Sequence, residues 1–173
     1  MKLKTLIISA FFLALALVLP LFTGQVQVIG SALCPLHLPV LLCGFVCGPL
    51  YALAVGIIAP LLRFCVFGMP PIFPSGLAMS FELATYGAVA GLLNKKRINV
   101  YVALISAMLA GRLVWGGVSY LLYAINGNSF TLSLFFAKAV TDALPGIALQ
   151  IIIIPPIVMA VNKINGGTNN VDT

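Results

Sequence analysis

Acidic residues are almost missing from this chain: three Asp or Glu in 173 residues, against nine Lys or Arg and one His. Charged residues make up 7% of the sequence, where a soluble domain carries roughly 25%, so a water-facing surface cannot be built from it. One His with one nearby acid is too little for the common intramembrane proteases. No GxxxxGK[ST] pattern occurs, which removes ATP hydrolysis by a phosphate-binding loop, and neither HExxH nor GxSxG is present. The chain is therefore read as a non-enzyme. No basic patch is interleaved with aromatics, so the surplus positive charge is not read as a nucleic-acid surface. The four cysteines, Cys34, Cys43, Cys47 and Cys65, lie in or beside apolar runs without zinc-site spacing. They read as small packing residues, with Cys43 and Cys47 on one helix face.

What remains is apolar: 62% hydrophobic residues and a mean hydropathy of +1.18. The runs do not alternate with period two, so helices are expected rather than a barrel. A span needs about 20 residues, and the length allows about six. The expected fold is an all-α integral membrane bundle of six helices, its second helix short and its last broken by prolines. One transmembrane domain would cover 1–165, with a polar tail at 166–173.

Met1–Lys4 is short and basic, and Thr5–Phe22 is apolar. Leu21-Phe22-Thr23-Gly24-Gln25 makes a poor cleavage site, so the run is read as helix 1 and not as a leader. Ala32–Val46 is a short apolar segment entered through Pro35 and Pro39. Broken helices at membrane depth are tolerated mainly where they line a cavity. Gly48-Pro49 makes a tight turn, and Leu50–Phe67 and Gly76–Leu93 are the next spans, joined by a stiff, proline-rich loop. Gly87 and Gly91 form a GxxxG pair. After the basic cluster Lys95-Lys96-Arg97 comes the span Val100–Ala124. Phe130–Val161 is too long for one span; breaks are expected at Pro145 and Pro155-Pro156, with Phe130–Lys138 as a short or re-entrant piece. Six spans starting inside put Lys2, Lys4, Lys95, Lys96, Arg97 and Lys163 in the cytoplasm, together with both termini.

Five charged residues fall within spans: Arg63, Glu82, Arg112, Lys138 and Asp142. Each would cost about 2.5–3.5 kcal/mol at a helix centre, so they should face inward and pair. Glu82 with Arg63, and Asp142 with Lys138, are the pairs a structural network would use. A solvated pocket opening outward better explains why they share the outer half, with Arg112 deepest, Tyr86 on the face of Glu82 and His37 at the mouth. Three cations against two anions suit a ligand carrying a carboxylate or phosphate.

The block Cys34–Gly87, above all HLPVLLCGFVCGP, PLLRF, FGMPP and AMSFELATYG, resembles the substrate-binding (S) components of energy-coupling factor vitamin transporters. Length, helix layout and topology extend the resemblance over nearly the whole chain. It implies capture of a small water-soluble vitamin from outside, followed by toppling within the membrane. That motion would be driven by two partner ATPase subunits acting through a transmembrane T component, so ATP is used by partners and this chain needs no cofactor. Ala10 and Ala14 match the AxxxA face that meets the T component. The block looks most like the pantothenate branch; pyridoxine, hydroxymethylpyrimidine and folate components are also similar and stay open. Metal-transporting relatives begin Met-His, whereas this chain begins Met-Lys. An autonomous ion-coupled carrier is the alternative the residues leave.

Overall fold

The structure, a computed structural model, describes residues 2–22, 35–125 and 144–168. Among them the chain is all helix and turn. Six helices follow one another: α1 Lys2–Phe22, α2 His37–Cys47, α3 Pro49–Phe67, α4 Leu77–Lys95, α5 Val100–Ile125 and α6 Leu144–Thr168. A single wide turn, Ile72–Gly76, leads into α4. All except α2 are long and apolar enough to cross a bilayer. With 11 residues α2 reaches only about 16 Å, roughly half the hydrocarbon thickness. The short second helix is therefore as expected.

Local chemistry sets the helix ends. Pro49 opens α3, where a missing N–H is harmless. Gly68 closes α3 in the left-handed conformation at φ 71°, its N–H donating to the Phe64 carbonyl at 2.8 Å. Asn99 caps α5: its Oδ1 accepts the Tyr101 N–H at 2.9 Å. The end of α4 is a Schellman closure. Arg97 N–H donates to Asn94 O at 2.9 Å and Ile98 N–H to Leu93 O at 3.2 Å. The residue in the left-handed position there is Arg97, at φ 57°, where glycine is usual.

One proline pair of α6 acts differently from the break expected of it. The break expected at Pro145 falls at the edge of the described residues, one position into α6. Pro155-Pro156 lies inside a helix that continues through it. Each proline removes one ladder donor, yet the helix continues, packed against α2 and α5. The segment 130–138, including any re-entrant piece, lies outside the described residues.

Helix α4 is the centre of the bundle and packs on α2, α3 and α5. Small residues make this possible. A Cβ at Gly87 would stand 2.7 Å from Ala52 Cβ, and one at Gly91 would stand 2.6 Å from the Pro49 nitrogen. A Cβ at Gly44 would meet Gly87 O at 2.7 Å, and one at Gly56 would meet Ala84 N at 2.5 Å. The backbones of α2, α3 and α4 thus touch directly. In lipid, where apolar side chains gain little by leaving their solvent, such close approach is a main source of helix affinity. The α4 glycine pair read from the sequence is the seam. On α5 the buried stripe is Ala103, Ala107 and Gly111, with Leu104 and Met108, the spacing of a single helix face.

Candidate functional site

The packing glycines fix the depth of each charged residue. Helices α3 and α4 run antiparallel, with Ala52 against Gly87 and Gly56 against Leu83 and Ala84. Carrying that register onward brings Arg63 opposite Gly76 and Leu77, roughly 8 Å beyond Glu82 along the axis. Helix α2 runs parallel to α4. His37 meets Glu82 and Tyr86, Gly44 meets Gly87 and Gly91, and Asn94 Nδ2 donates to Phe45 O at 2.8 Å. The half-helix α2 therefore begins at the depth of Glu82 and ends at the level of the basic turn.

At that depth a charged cluster is assembled from three helices. Arg112 Nη1 of α5 lies 3.0 Å from Glu82 Oε1, and His37 Nε2 lies 3.6 Å from Glu82 Oε2. Glu82 and His37 are 2% exposed, so their interaction is little screened by solvent. The His37 distance is too long for a hydrogen bond and is a charge–dipole or charge–charge contact. Although the Arg112 pair is within ion-pair distance, Glu82 Oε1 has no hydrogen bond of good geometry among the described residues. The contact is therefore mainly Coulombic. The first-turn N–H groups of α2 lie at the same level, and their partial positive charge favours an anion there.

Tyr86 is fully buried and packs edge-on against His37, ring centroids 5.3 Å apart. Its ring fills the space over Gly111, where any Cβ would overlap it. Gly111 also sets the depth of Arg112: a Cβ there would lie 3.1 Å from Glu82 O. The sequence gives no direct sign of this role for Gly111.

Arg63 behaves differently from the others. It is 8% exposed, its guanidinium lies 5.5 Å from the centre of the Phe67 ring, and among the described residues its Nη1 has no hydrogen-bond partner. The Glu82–Arg63 pair expected of a structural network is not formed. Glu82 is taken by Arg112 and His37, because Arg63 sits more than a turn away along α4. His37 also differs from expectation: it is level with Glu82, not nearer the end of the bundle, because α2 starts at mid-depth. Lys138 and Asp142, and hence their pairing, lie outside the described residues.

Buried polar side chains that were not anticipated include Gln150 and Ser119, besides Ser9 and Ser80. Gln150 of α6 is 2% exposed and Ser119 of α5 is 3% exposed. Ser119 lies seven residues beyond Arg112, on the same helix face. Each is the sort of isolated polar residue in an apolar run that marks such positions in a membrane chain. On α1, Ser9, Ala16 and Pro20 face the bundle, while Ala10 and Ala14 are exposed beside the large side chains of Ile7 and Phe11. Among the described residues no group of three His, Cys, Asp or Glu could hold a metal ion.

One comparison identifies a relationship for the whole arrangement. The family model described as "ECF transporter, substrate-specific component" matches residues 4–158. No curated protein and no solved structure matches the chain.

Proposed function

Because this multi-pass membrane protein belongs to the ECF (energy-coupling factor) transporter substrate-specific component family, we propose that it captures a small water-soluble vitamin bearing a carboxylate. Pantothenate is the first candidate. The family is one of transporter components and not of enzymes, and that role needs no catalytic group in this chain. Family membership does not favour the autonomous ion-coupled carrier.

The observation that carries the ligand reading is Arg63. A buried guanidinium with an unpartnered nitrogen is costly unless something accepts a hydrogen bond from it. A ligand carboxylate would satisfy it, and bidentate geometry makes Arg the best side chain for that task. About one turn and a half deeper lies the Glu82–Arg112–His37 cluster. Glu82 supplies one negative charge against the two permanent cations Arg63 and Arg112. An anionic ligand offsets the excess, and its polar body can hydrogen-bond to His37 or Glu82. Lys138 and Asp142 are assigned to the same site from the sequence.

In this reading the outer ends are those near Phe67 and Leu77, and both termini are cytoplasmic. Ala10 and Ala14 dock the transmembrane T component, whose two ATPase partners use the ATP; this chain holds no cofactor. The exposed small residues on α1 support that role, since they let a partner backbone approach. The test is mass spectrometry of ligand co-purified with the chain, followed by binding measurements against a vitamin panel. Retention of a carboxylate-bearing vitamin is expected. Failure to bind any member of the panel would refute the reading.

A further inference from the structure

The opposite end of the bundle carries a polar concavity. A cleft of about 520 Å³ opens where the turn between α4 and α5 meets the end of α6. Its polar lining includes Arg97, Asn99 and Asn162, and its apolar lining includes Ile98, Tyr101 and Met159. It lies 12 residues or more beyond Glu82 on α4, about 18 Å along the axis, so it is separate from the site proposed for the vitamin.

We propose that this cleft binds the phosphate headgroup of an anionic phospholipid of the phosphatidylglycerol class. Three observations converge on that chemistry. First, the charge is one-sided. Arg97 lines the cleft, Lys95 and Lys96 precede it, and Lys163 follows Asn162. Among the described residues the sole carboxylate is Glu82, which is held by Arg112 and His37 at the other site. Second, the cleft presents hydrogen-bond donors. Asn99 accepts from Tyr101 through its oxygen, so what it offers a ligand is its N–H pair. The first turn of the 26-residue helix α5 lies in the same wall and adds a positive helix end. Third, the cleft leads onto lipid-facing surface. Tyr101, Ile105 and Leu109 are 45%, 47% and 63% exposed and stand four residues apart on α5, a stripe along which an acyl chain can lie. A free phosphate would use the donors but not the stripe. Basic pockets between helices at the cytoplasmic side suit anionic headgroups, so the inference rests on the orientation that the proposed function assigns.

The lipid is tested on the full chain in detergent by native mass spectrometry, with phosphatidylglycerol or phosphatidylcholine added at equal concentration. Phosphatidylglycerol is expected to be retained at least tenfold better. Arg97→Gly is the informative variant, since glycine is at ease in the left-handed position and the fold is kept while the guanidinium is removed. It should lower phosphatidylglycerol retention about tenfold. Lys4→Gln, which removes one charge from exposed α1, should change it less than twofold. Excess inorganic phosphate should leave the lipid bound. Equal retention of the two lipids, no effect of Arg97→Gly, an equal effect of Lys4→Gln, or displacement by phosphate would each overturn the lipid site. Vitamin binding on the same samples reports separately on the outer site. It should be unchanged by Arg97→Gly.

Discussion

Arg112 Nη1 and Glu82 Oε1 stand 3.0 Å apart, bridging the two helices whose contact is closed by Tyr86 lying over Gly111. A buried pair of this kind roughly breaks even against apolar residues of the same size, yet breaking it from one side leaves an uncompensated charge. Arg112→Leu should therefore destabilise the chain by about 3–5 kcal/mol. The double variant Arg112→Leu with Glu82→Leu should recover most of that loss. Denaturant unfolding in detergent measures both. Vitamin binding should be lost in both the single and the double variant; a double variant that binds normally would make the pair structural only.

Arg63 should separate binding from stability. Arg63→Gln removes a guanidinium that among the described residues has an unpartnered nitrogen, so unfolding should be little changed. A charge-assisted hydrogen bond is worth about 1.5–3 kcal/mol, so affinity for a carboxylate vitamin should drop by roughly tenfold or more. Titration calorimetry with the vitamin and with its alcohol analogue, which lacks the carboxylate, checks the assignment. The wild-type chain should prefer the acid, and the variant should not.

Gly111→Ala adds a methyl group where the Tyr86 ring already lies. Overpacking of this sort costs about 1–3 kcal/mol, and the ring must leave its edge-on contact with His37. Both stability and vitamin affinity should fall. Adding Tyr86→Leu to Gly111→Ala should restore part of the stability. Failure of that rescue would show that the α4–α5 contact is set elsewhere.

Arg97→Gly should raise stability. A non-glycine residue in the left-handed region costs roughly 1–2 kcal/mol, and the Schellman hydrogen bonds are made by the backbone alone. A gain of about 1 kcal/mol is expected in lipid-free detergent by thermal unfolding, and a loss there would mean that the side chain itself holds the turn.

Ala10→Leu with Ala14→Leu should block uptake in cells that supply the partner subunits while leaving vitamin binding by the purified chain intact. Both alanines are exposed on α1, so among the described residues the added bulk points away from the other helices. Loss of binding instead would show that α1 shapes the vitamin site.

The sequence revealed composition-level and seam-level features well. The apolar runs predict the helices, and the pair Gly87 and Gly91 predicts a close helix contact, because both signals are local in the chain. Depth and register are not local. Glu82 has three basic candidates within reach of a plausible bundle, and only the Gly56–Leu83 and Gly111–Glu82 approaches decide that Arg112 is its partner and Arg63 is not. His37 was placed too near the surface for the same reason: the depth at which a half-length helix begins is set by what its glycines touch. Pro155-Pro156 reads as a break because two missing ladder donors look disruptive in a sequence, whereas the helix continues through them. Gln150 was visible as a lone amide in an isoleucine-rich run, but which way it faces is a property of the packed bundle.

The direct contact of the α2, α3 and α4 backbones has a mechanical consequence. Where the α4 backbone meets those of α2 and α3 with no long side chain between, there is little to shear, and the three helices turn as one stiff plate. Glu82, His37 and Arg63 are mounted on that plate, so tilting the whole protein in the bilayer leaves their spacing unchanged. For the proposed role, reorientation and ligand release are then two different motions, and release falls to what lies outside the plate, such as α6, which among the described residues packs on α2 and α5.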